Sequence, residues 1–317
     1  MRLLITGGAG FIGSNFIRHI MSKYPEYKII NLDKLTYAGN LDNLNDIENK
    51  KNYKFYKGDI CDAKIVSRLM KDADAVVHFA AETHVDRSLM EAGTFVMSDV
   101  FGTFVLLNEA KKNKVKKFIH ISTDEVYGSI EKGSFDEDSP LNPSNPYSAS
   151  KAGADRLAYS YFKTFNIPVC ITRSSNNFGP YQHPEKFIPL FITNSIENKK
   201  LPLYGDGMNK RDWLYVLDNC EAISHVLHNG VEGEVYNVGA NNEKTNLYLA
   251  RLILKMLDKP ESLIEFVKDR QGHDRRYAVN CNKIRKLGWK PRHNFEESLK
   301  ATVNWYHNNR MWWQKIK

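Results

Sequence analysis

Tyr147 and Lys151 stand in the stretch Asn145-Pro146-Tyr147-Ser148-Ala149-Ser150-Lys151, which enters a helix running through Arg156 and Leu157. Tyr-x-x-x-Lys spacing puts both side chains on one helical face. An ammonium beside a phenol stabilises the tyrosinate and lowers its pKa toward working pH, so the pair predicts a base for an alcohol proton during hydride transfer. Any helix can carry this spacing, and its weight comes from its company. Upstream, the apolar run Phe118 to Ser122 leads into Thr123-Asp124-Glu125-Val126-Tyr127-Gly128. A hydroxyl and two adjacent carboxylates at a strand end suit an acid and a base acting on neighbouring atoms, if their surroundings separate their pKa values. The plainer reading is a helix cap with first-turn acids.

Such groups need a frame that holds them beside a hydride carrier. Leu3 to Thr6 is a short apolar strand followed at once by Gly7, Gly10 and Gly13 in a Gly-x-x-Gly-x-x-Gly loop, with Asn15 to Ser22 patterned as a helix and Lys28 to Leu32 as the next strand. Glycines permit a tight turn and let a pyrophosphate approach the amides at a helix N-terminus. Asp33, at the end of the second strand, is placed to accept hydrogen bonds from an adenosine ribose and to repel a 2′-phosphate, which predicts NAD over NADP. Lys34 beside it softens that preference without reversing it.

Further strands are expected at Tyr53 to Tyr56, Ala75 to Phe79, Phe118 to Ile121 and Val169 to Thr172, separated by helical stretches. Strand and helix in alternation predict an α/β fold, a Rossmann-type doubly wound parallel sheet, whose ligands lie at the carboxyl ends of the strands. Beyond about residue 176, Pro and Gly punctuate short elements and predict a smaller mixed α/β substrate-binding lobe. Val235 to Val238 reads as a last sheet strand, Leu247 to Leu257 and Phe295 to His307 as amphipathic helices. The expected division is 1–176 and 209–239 for the cofactor domain, 177–208 and 240–317 for the lobe. Trp305, Tyr306, Trp312 and Trp313 are expected to pack on that lobe.

The 317 residues are 42% hydrophobic, enough for a large core. Apolar runs are only strand-length and no leader pattern is visible, which predicts a soluble, cytoplasmic protein with no membrane association. The four cysteines, Cys61, Cys170, Cys220 and Cys281, form no close pair, so no metal site is expected and the thiols should be reduced and mostly buried. A net charge of +8 is spread along the chain with no accompanying motif, which argues against nucleic acid.

Together these residues resemble the dTDP-glucose 4,6-dehydratases of the extended short-chain dehydrogenase/reductases. The resemblance runs nearly end to end. It is carried by Thr-Gly-Gly-Ala-Gly-Phe-Ile-Gly from Thr6, Asp-Lys-Leu-Thr-Tyr-Ala-Gly-Asn from Asp33, Ala-Ala-Glu-Thr-His-Val-Asp-Arg-Ser from Ala80, and Ser-Thr-Asp-Glu-Val-Tyr-Gly from Ser122. Ser-Asn-Asn-Phe-Gly-Pro-Tyr from Ser175, Arg211-Asp212-Trp213 and Asp-Arg-Gln-Gly-His-Asp-Arg-Arg-Tyr from Asp269 complete it. Epimerases of the superfamily share the glycine loop and the Tyr/Lys pair but are not expected to carry Asp-Glu after the threonine.

The resemblance implies conversion of dTDP-glucose to dTDP-4-keto-6-deoxyglucose and water with tightly held NAD. Tyr147 takes the 4-hydroxyl proton with help from Thr123 and Lys151, Glu125 removes the carbon 5 proton, and Asp124 protonates the departing 6-hydroxyl. Cofactor positions carried over are Phe11, Ile12, Asp33, Lys34, Thr36, Asp59, Ile60, Ala80, Ala81, Ser98, Tyr147, Lys151 and Asn177. Those for the nucleotide sugar are Thr83, Thr123, Asn176, Lys186, Phe187, Pro202, Tyr204, Arg211, Asn246, Asp269 and His273, with Lys186 and Arg211 suited to a diphosphate. A homodimer through the helix bearing Tyr147 and its neighbour near Phe101 to Lys111 is also implied.

Three positions depart from the family's pattern: Thr83 for serine, Phe178 for tyrosine and Gln271 for proline. The latter two are expected to loosen a substrate-side loop and to touch nucleobase preference. Asp86 and Arg87 are expected to be structural. Rival readings are a UDP-glucose 4,6-dehydratase, since thymine and uracil differ by one methyl worth about 1–3 kcal/mol, a 4-epimerase, and a non-catalytic dinucleotide-binding sensor.

Overall fold

Leu3, Leu4 and Ile5 are consecutive, fully buried, and on a strand that points successive side chains to opposite faces, so this strand must be covered on both sides. The computed structural model describes residues 1–269 and 272–317 and shows that cover. Its strands are β1 (Arg2–Thr6), β2 (Lys28–Asp33), β3 (Tyr53–Lys57), β4 (Ala75–His78), β5 (Lys117–Thr123), β6 (Val169–Ser174), β7 (Asn176–Phe178), β8 (Leu201–Tyr204), β9 (Lys210–Tyr215), β10 (Val235–Val238), β11 (Glu243–Thr245) and β12 (Ile264–Val267). Seven of them form a parallel sheet in the order β10-β6-β5-β4-β1-β2-β3. Leu3, Ile5, Val77 and Ile119 face a core shared with helices Phe11–Lys23 and Val216–Asn229. Leu4, Val76, Phe118 and Ile171 face the opposite core, under helices Ala63–Met70, Gly102–Lys112 and Pro146–Phe165.

The chain starts mid-sheet and winds outward both ways, so the strand order reverses between β1 and β4 and a crevice opens at their carboxyl ends. Thr6 pairs with Leu32 and His78 in register, which brings the glycine loop, Asp33 and Ala80 to one edge of that crevice. Thr123 pairs with Ser174, which delivers the Thr123 end of β5 and the start of β7 to the other.

A second core gathers Phe178, Phe191, Trp213, Leu249, Leu299, Tyr306 and Trp313. It joins a three-stranded sheet, β11-β9-β7, and the pair β12-β8 with helices Phe187–Ile196, Asn246–Met256, Phe295–Asn308 and Arg310–Gln314. The terminal aromatics pack here as expected. Phe178 is fully buried against the rings of Tyr215 and Phe295, a site where a tyrosine hydroxyl would need a partner. That departure therefore fills a core and loosens no loop. Gln271 lies outside the described residues. All four cysteines are free, Cys61 partly exposed and the others buried. No metal-holding cluster and no helix long and apolar enough to cross a membrane occurs among the described residues.

Behind the crevice, Arg173 on β6 is 1% exposed and grips Asp155 with two hydrogen bonds of 2.8 and 2.9 Å. Burial pushes the Asp155 carboxyl up, but the Arg173 bonds and charge outweigh it and bring it from 3.8 down to about 2. A carboxylate depressed on folding contributes stability at pH values above its unfolded pKa, and that contribution is lost as pH falls from 3.8 through about 2. Asp155→Ala leaves a buried guanidinium unpaired, and urea unfolding at neutral pH is expected to show a loss of about 3–5 kcal/mol.

Candidate active site

The glycine loop is tight for reasons of contact. Gly7 has φ +72°, and a β-carbon there would stand 2.5 Å from the Ala80 amide nitrogen. One on Gly13 would stand 2.3 Å from the Gly7 carbonyl oxygen. Helix Phe11–Lys23 begins at once, and no side chain caps Gly10, so its first amides are left to an anion in the crevice. Asp33 accepts from the amides of Ala9 at 2.9 Å and Leu35 at 2.8 Å. Burial raises this carboxyl while those two amides hold it down. Lys34 is engaged by Asp59 at 2.7 Å, so a cation that could have greeted a 2′-phosphate is occupied. Phe11, Ile12, Thr36, Asp59, Ile60, Ala80, Ala81, Ser98 and Asn177 line the same crevice with Gly7, Gly10, Gly13, Asp33 and Lys34. A cradle that a methyl would fill, a helix N-terminus and a strand-end carboxylate together fit a dinucleotide. Asp33→Asn removes a charge-assisted acceptor worth about 1.5–3 kcal/mol; calorimetric titration of the NAD-stripped protein should show NAD affinity falling roughly ten- to hundredfold.

The helix of Tyr147 and Lys151 starts where it does because Asn145 and Ser148 form a reciprocal capping box and Pro146 occupies the first turn. Lys151 is thereby aimed at the sheet, where its ammonium donates to the Ile121 carbonyl at 2.7 Å. Burial lowers its pKa, and the charges of Asp99 and Asp155 oppose that. Tyr147 shares the crevice with Thr123, Asp124 and Glu125. Its phenol is held well above the ordinary value by burial and by Glu125, Asp99 and Asp124, with the Thr123 hydroxyl working the other way. The placement of tyrosine and lysine agrees with the sequence, but the direction of the tyrosine shift does not. Burial is the largest cause, and the charges of Glu125, Asp99 and Asp124 add to it.

Thr123 serves both readings of its segment. Its hydroxyl accepts from the Glu125 amide at 3.2 Å, capping the short turn Asp124–Tyr127, and contacts the Asp124 carboxylate at 3.2 Å. Asp124 is 3% exposed, and its second oxygen has no hydrogen-bond partner among the described residues. Burial, then the charges of Glu125 and Asp212, push its pKa well above the usual carboxylate range, against Arg211 and Thr123. A buried carboxyl whose pKa is pushed up thus lies next to a second carboxylate, as acid and base on adjacent atoms require.

On the substrate side, Thr83, Asn176 and Lys186 also line the crevice, and the Lys186 ammonium donates to the Thr83 carbonyl at 2.5 Å. Phe187, Pro202, Tyr204, Arg211, Asn246, Asp269 and His273 lie in the second lobe, outside that lining. His273 bonds Asp269 at 2.6 Å and meets the Tyr204 ring edge-on, so these three form one cluster. Arg211 is buried over the Tyr277 ring and donates to the carbonyls of Lys210 at 2.7 Å and Asp274 at 2.9 Å. A buried guanidinium must satisfy its donors, and here the loop does so. Arg87 lies 3.7 Å over the Tyr37 ring and 3.6 Å from Glu185, a structural place as expected.

The model of the GDP-mannose 4,6 dehydratase family matches residues 4–302. A dTDP-glucose 4,6-dehydratase of Streptomyces antibioticus is 50% identical, covering 100% of this chain and 96% of the relative. The low-salt glycan biosynthesis protein Agl12 of Haloferax volcanii is 51% identical over 96% of this chain and 98% of its own. The solved structure of DesIV, a dTDP-glucose 4,6-dehydratase of Streptomyces venezuelae with NAD and dTDP bound, superposes with a TM-score of 0.98 at 49% identity over 100% of both chains. The chain belongs to the dTDP-glucose 4,6-dehydratase family.

In this dTDP-glucose 4,6-dehydratase family member the crevice has further walls that sequence reasoning missed. Glu82, Ser122, Ser174, Ser175, Gln182, His183 and Glu185 line it. Ser122 and Ser174 carried a signal, as polar residues at the ends of neighbouring parallel strands. Trp312 carried none: its indole donates to Asn43 at 2.8 Å, and the Asn43 amide donates to the Ala9 carbonyl at 2.8 Å. The last helix thus steadies the glycine loop from more than half the chain away.

Proposed function

We propose that this chain works as an NAD-dependent dTDP-glucose 4,6-dehydratase, a hydro-lyase that turns dTDP-glucose into dTDP-4-keto-6-deoxyglucose and water. The observation that carries the reading is Asp124, a carboxyl buried beside Glu125 with one oxygen unpartnered among the described residues, within one crevice with Tyr147 and Lys151. An epimerase has no use for that second pair of groups, and neither has a sensor.

Held by the glycine loop and Asp33, NAD would supply the acceptor for the carbon 4 hydride and its donor to carbon 6, and in its oxidised form a positive charge among the carboxylates. The residues around it do the proton work. Tyr147, steadied by Thr123 and charged Lys151, takes the proton of the 4-hydroxyl. The resulting ketone acidifies carbon 5, Glu125 removes that proton, and Asp124 gives its own to the departing 6-hydroxyl, so that water leaves; as hydride is returned to carbon 6, Glu125 gives a proton back to carbon 5. Donors at the 4-oxygen, Thr123 and Tyr147, stabilise the enolate. Lys186 and Arg211 neutralise the diphosphate, Arg211 by exchanging loop carbonyls for phosphate oxygens. Pro202, Tyr204, Asn246, Asp269 and His273 receive the nucleoside, with Thr83, Asn176 and Phe187 nearer the sugar. In this arrangement 1–176 and 209–239 mainly hold the cofactor and 177–208 and 240–317 mainly the sugar nucleotide, with β9 and its Arg211 belonging by packing to the sugar-nucleotide side.

Incubation with dTDP-glucose should give a product lighter by one water with no net NADH, and UDP-glucose should be turned over more slowly. Unchanged mass with galactose formation sinks the dehydratase reading.

A homodimer fits the surface. Met97, Phe101, Phe104 and Phe165 are 52%, 41%, 38% and 42% exposed on the helices beside and including that of Tyr147. Burying them is favourable by about 25 cal/mol per Å² of apolar area. Light scattering should report a dimer for the native chain and a monomer for Phe104→Glu. The four unpaired cysteines fit a reducing compartment, and we place the enzyme in the cytoplasm.

A further inference from the structure

We propose that Asp99 is a positioning residue for Tyr147 and Lys151: its buried carboxylate ties the helix that bears them to the cofactor-side loop and, when ionised, sets a negative charge near the Lys151 ammonium. The proposal rests on the roles given above to that pair.

Asp99 lies in the π-helical turn Val96–Phe101, between helices Ala92–Phe95 and Gly102–Lys112. Such wide turns break the regular ladder and recur where a side chain has been re-aimed for function. Its neighbours Val96, Met97 and Phe101 face outward, while Asp99 is 1% exposed. One carboxylate oxygen accepts from the Glu82 amide at 2.9 Å, in the loop that follows β4 and lines the crevice. The other accepts from the Ser150 hydroxyl at 2.6 Å, one residue before Lys151. Its carbonyl accepts from Thr103 at 2.5 Å; Thr103 meets His78 at 2.9 Å, and His78 meets Thr6 at 2.7 Å, at the mouth of the glycine loop. A single residue thus joins the strand end that starts the cofactor cradle to the helix that carries the base.

Two carboxylates act on the buried Lys151, Asp99 and Asp155. Asp155 is already matched by Arg173 at 2.8 Å and Arg156 at 2.7 Å. Among the described residues Asp99 pairs with no arginine, which leaves it as the counter-charge to the lysine. The other groups that face this cluster are Glu82, which repels it, and Tyr147, Asp124 and Glu125 across the crevice. His78 and His120 on β4 and β5 are both held neutral by burial, His120 at about 3. Burial raises the Asp99 carboxyl to about 6 against Lys151, Ser150 and the Glu82 amide.

Above its own titration near 6 the Asp99 carboxylate raises the pKa of both its neighbours, the phenol and the ammonium, so its removal lowers both. In Asp99→Asn the rising and falling limbs of log kcat/KM against pH should move together toward acid by about one unit. Retained melting temperature and NAD content establish that the variant is folded. Ser150→Ala keeps the carboxylate but strips the hydroxyl that favours its charged form; its rising limb should move the same way by less, and this variant carries the test if Asp99→Asn does not fold. A lower plateau with both limbs in place assigns Asp99 a merely structural part and overturns the proposal, as does an unmoved rising limb in Ser150→Ala. Native protein that forms no 4-keto product in the same assay overturns the dehydratase reading, and this proposal with it.

Discussion

Glu125→Gln, mixed with dTDP-glucose, is expected to show the absorbance of reduced nicotinamide and then to stop, with turnover lower by about 10²–10⁴-fold. The amide is nearly the same shape as the carboxylate, so the crevice keeps its form. The change strikes only the removal of the carbon 5 proton. Tyr147, Thr123 and Lys151 are untouched, so the 4-hydroxyl can still be oxidised. Removing the Glu125 charge also relieves Tyr147 and Asp124, both of which it pushes up. Oxidation should therefore run at least as readily as in the native protein, at slightly lower pH. Stopped-flow absorbance and product mass check both halves together. Full turnover by this variant would remove Glu125 from its role.

Tyr147→Phe is expected to fail one step earlier, with no reduced nicotinamide and turnover again lower by about 10²–10⁴-fold. Only the hydroxyl is lost from a side chain whose ring meets Phe95 edge-on, so packing is kept. Lys151 remains anchored to the Ile121 carbonyl and still offers its charge, but nothing accepts the alcohol proton. The contrast between the variants is the sharper test. One accumulates an oxidised sugar and the other accumulates nothing. If both behave alike, the assignment of oxidation to Tyr147 and elimination to Glu125 is wrong.

Much of this was legible in the chain, for physical reasons that act locally. The glycine loop was readable because strand, turn and helix are contiguous there and only glycine tolerates the approach to Ala80 and Gly7. Strand positions were readable from continuous apolar runs such as Leu3 to Ile5, since a strand buried on both faces leaves no polar alternation. The helix of Tyr147 was announced by Asn145 and Pro146, its cap and its first turn. The second lobe was harder to read, because β7 and β11 are only 3 residues each and both pair with the distant β9.

What the sequence determined by itself was the inventory: a dinucleotide loop, an acid pair after a threonine, a tyrosine and lysine on one helical face. Their ionisation was decided only by the tertiary structure. Nothing around Asp124 in the chain says that Asp212 will come near enough to help keep its proton, and nothing near Tyr147 says that Asp99 will raise its phenol. The tie from Trp312 through Asn43 to Ala9 is equally invisible beforehand. Residue type and spacing follow from covalent neighbours, whereas burial and the field at a buried group are sums over everything folded around it.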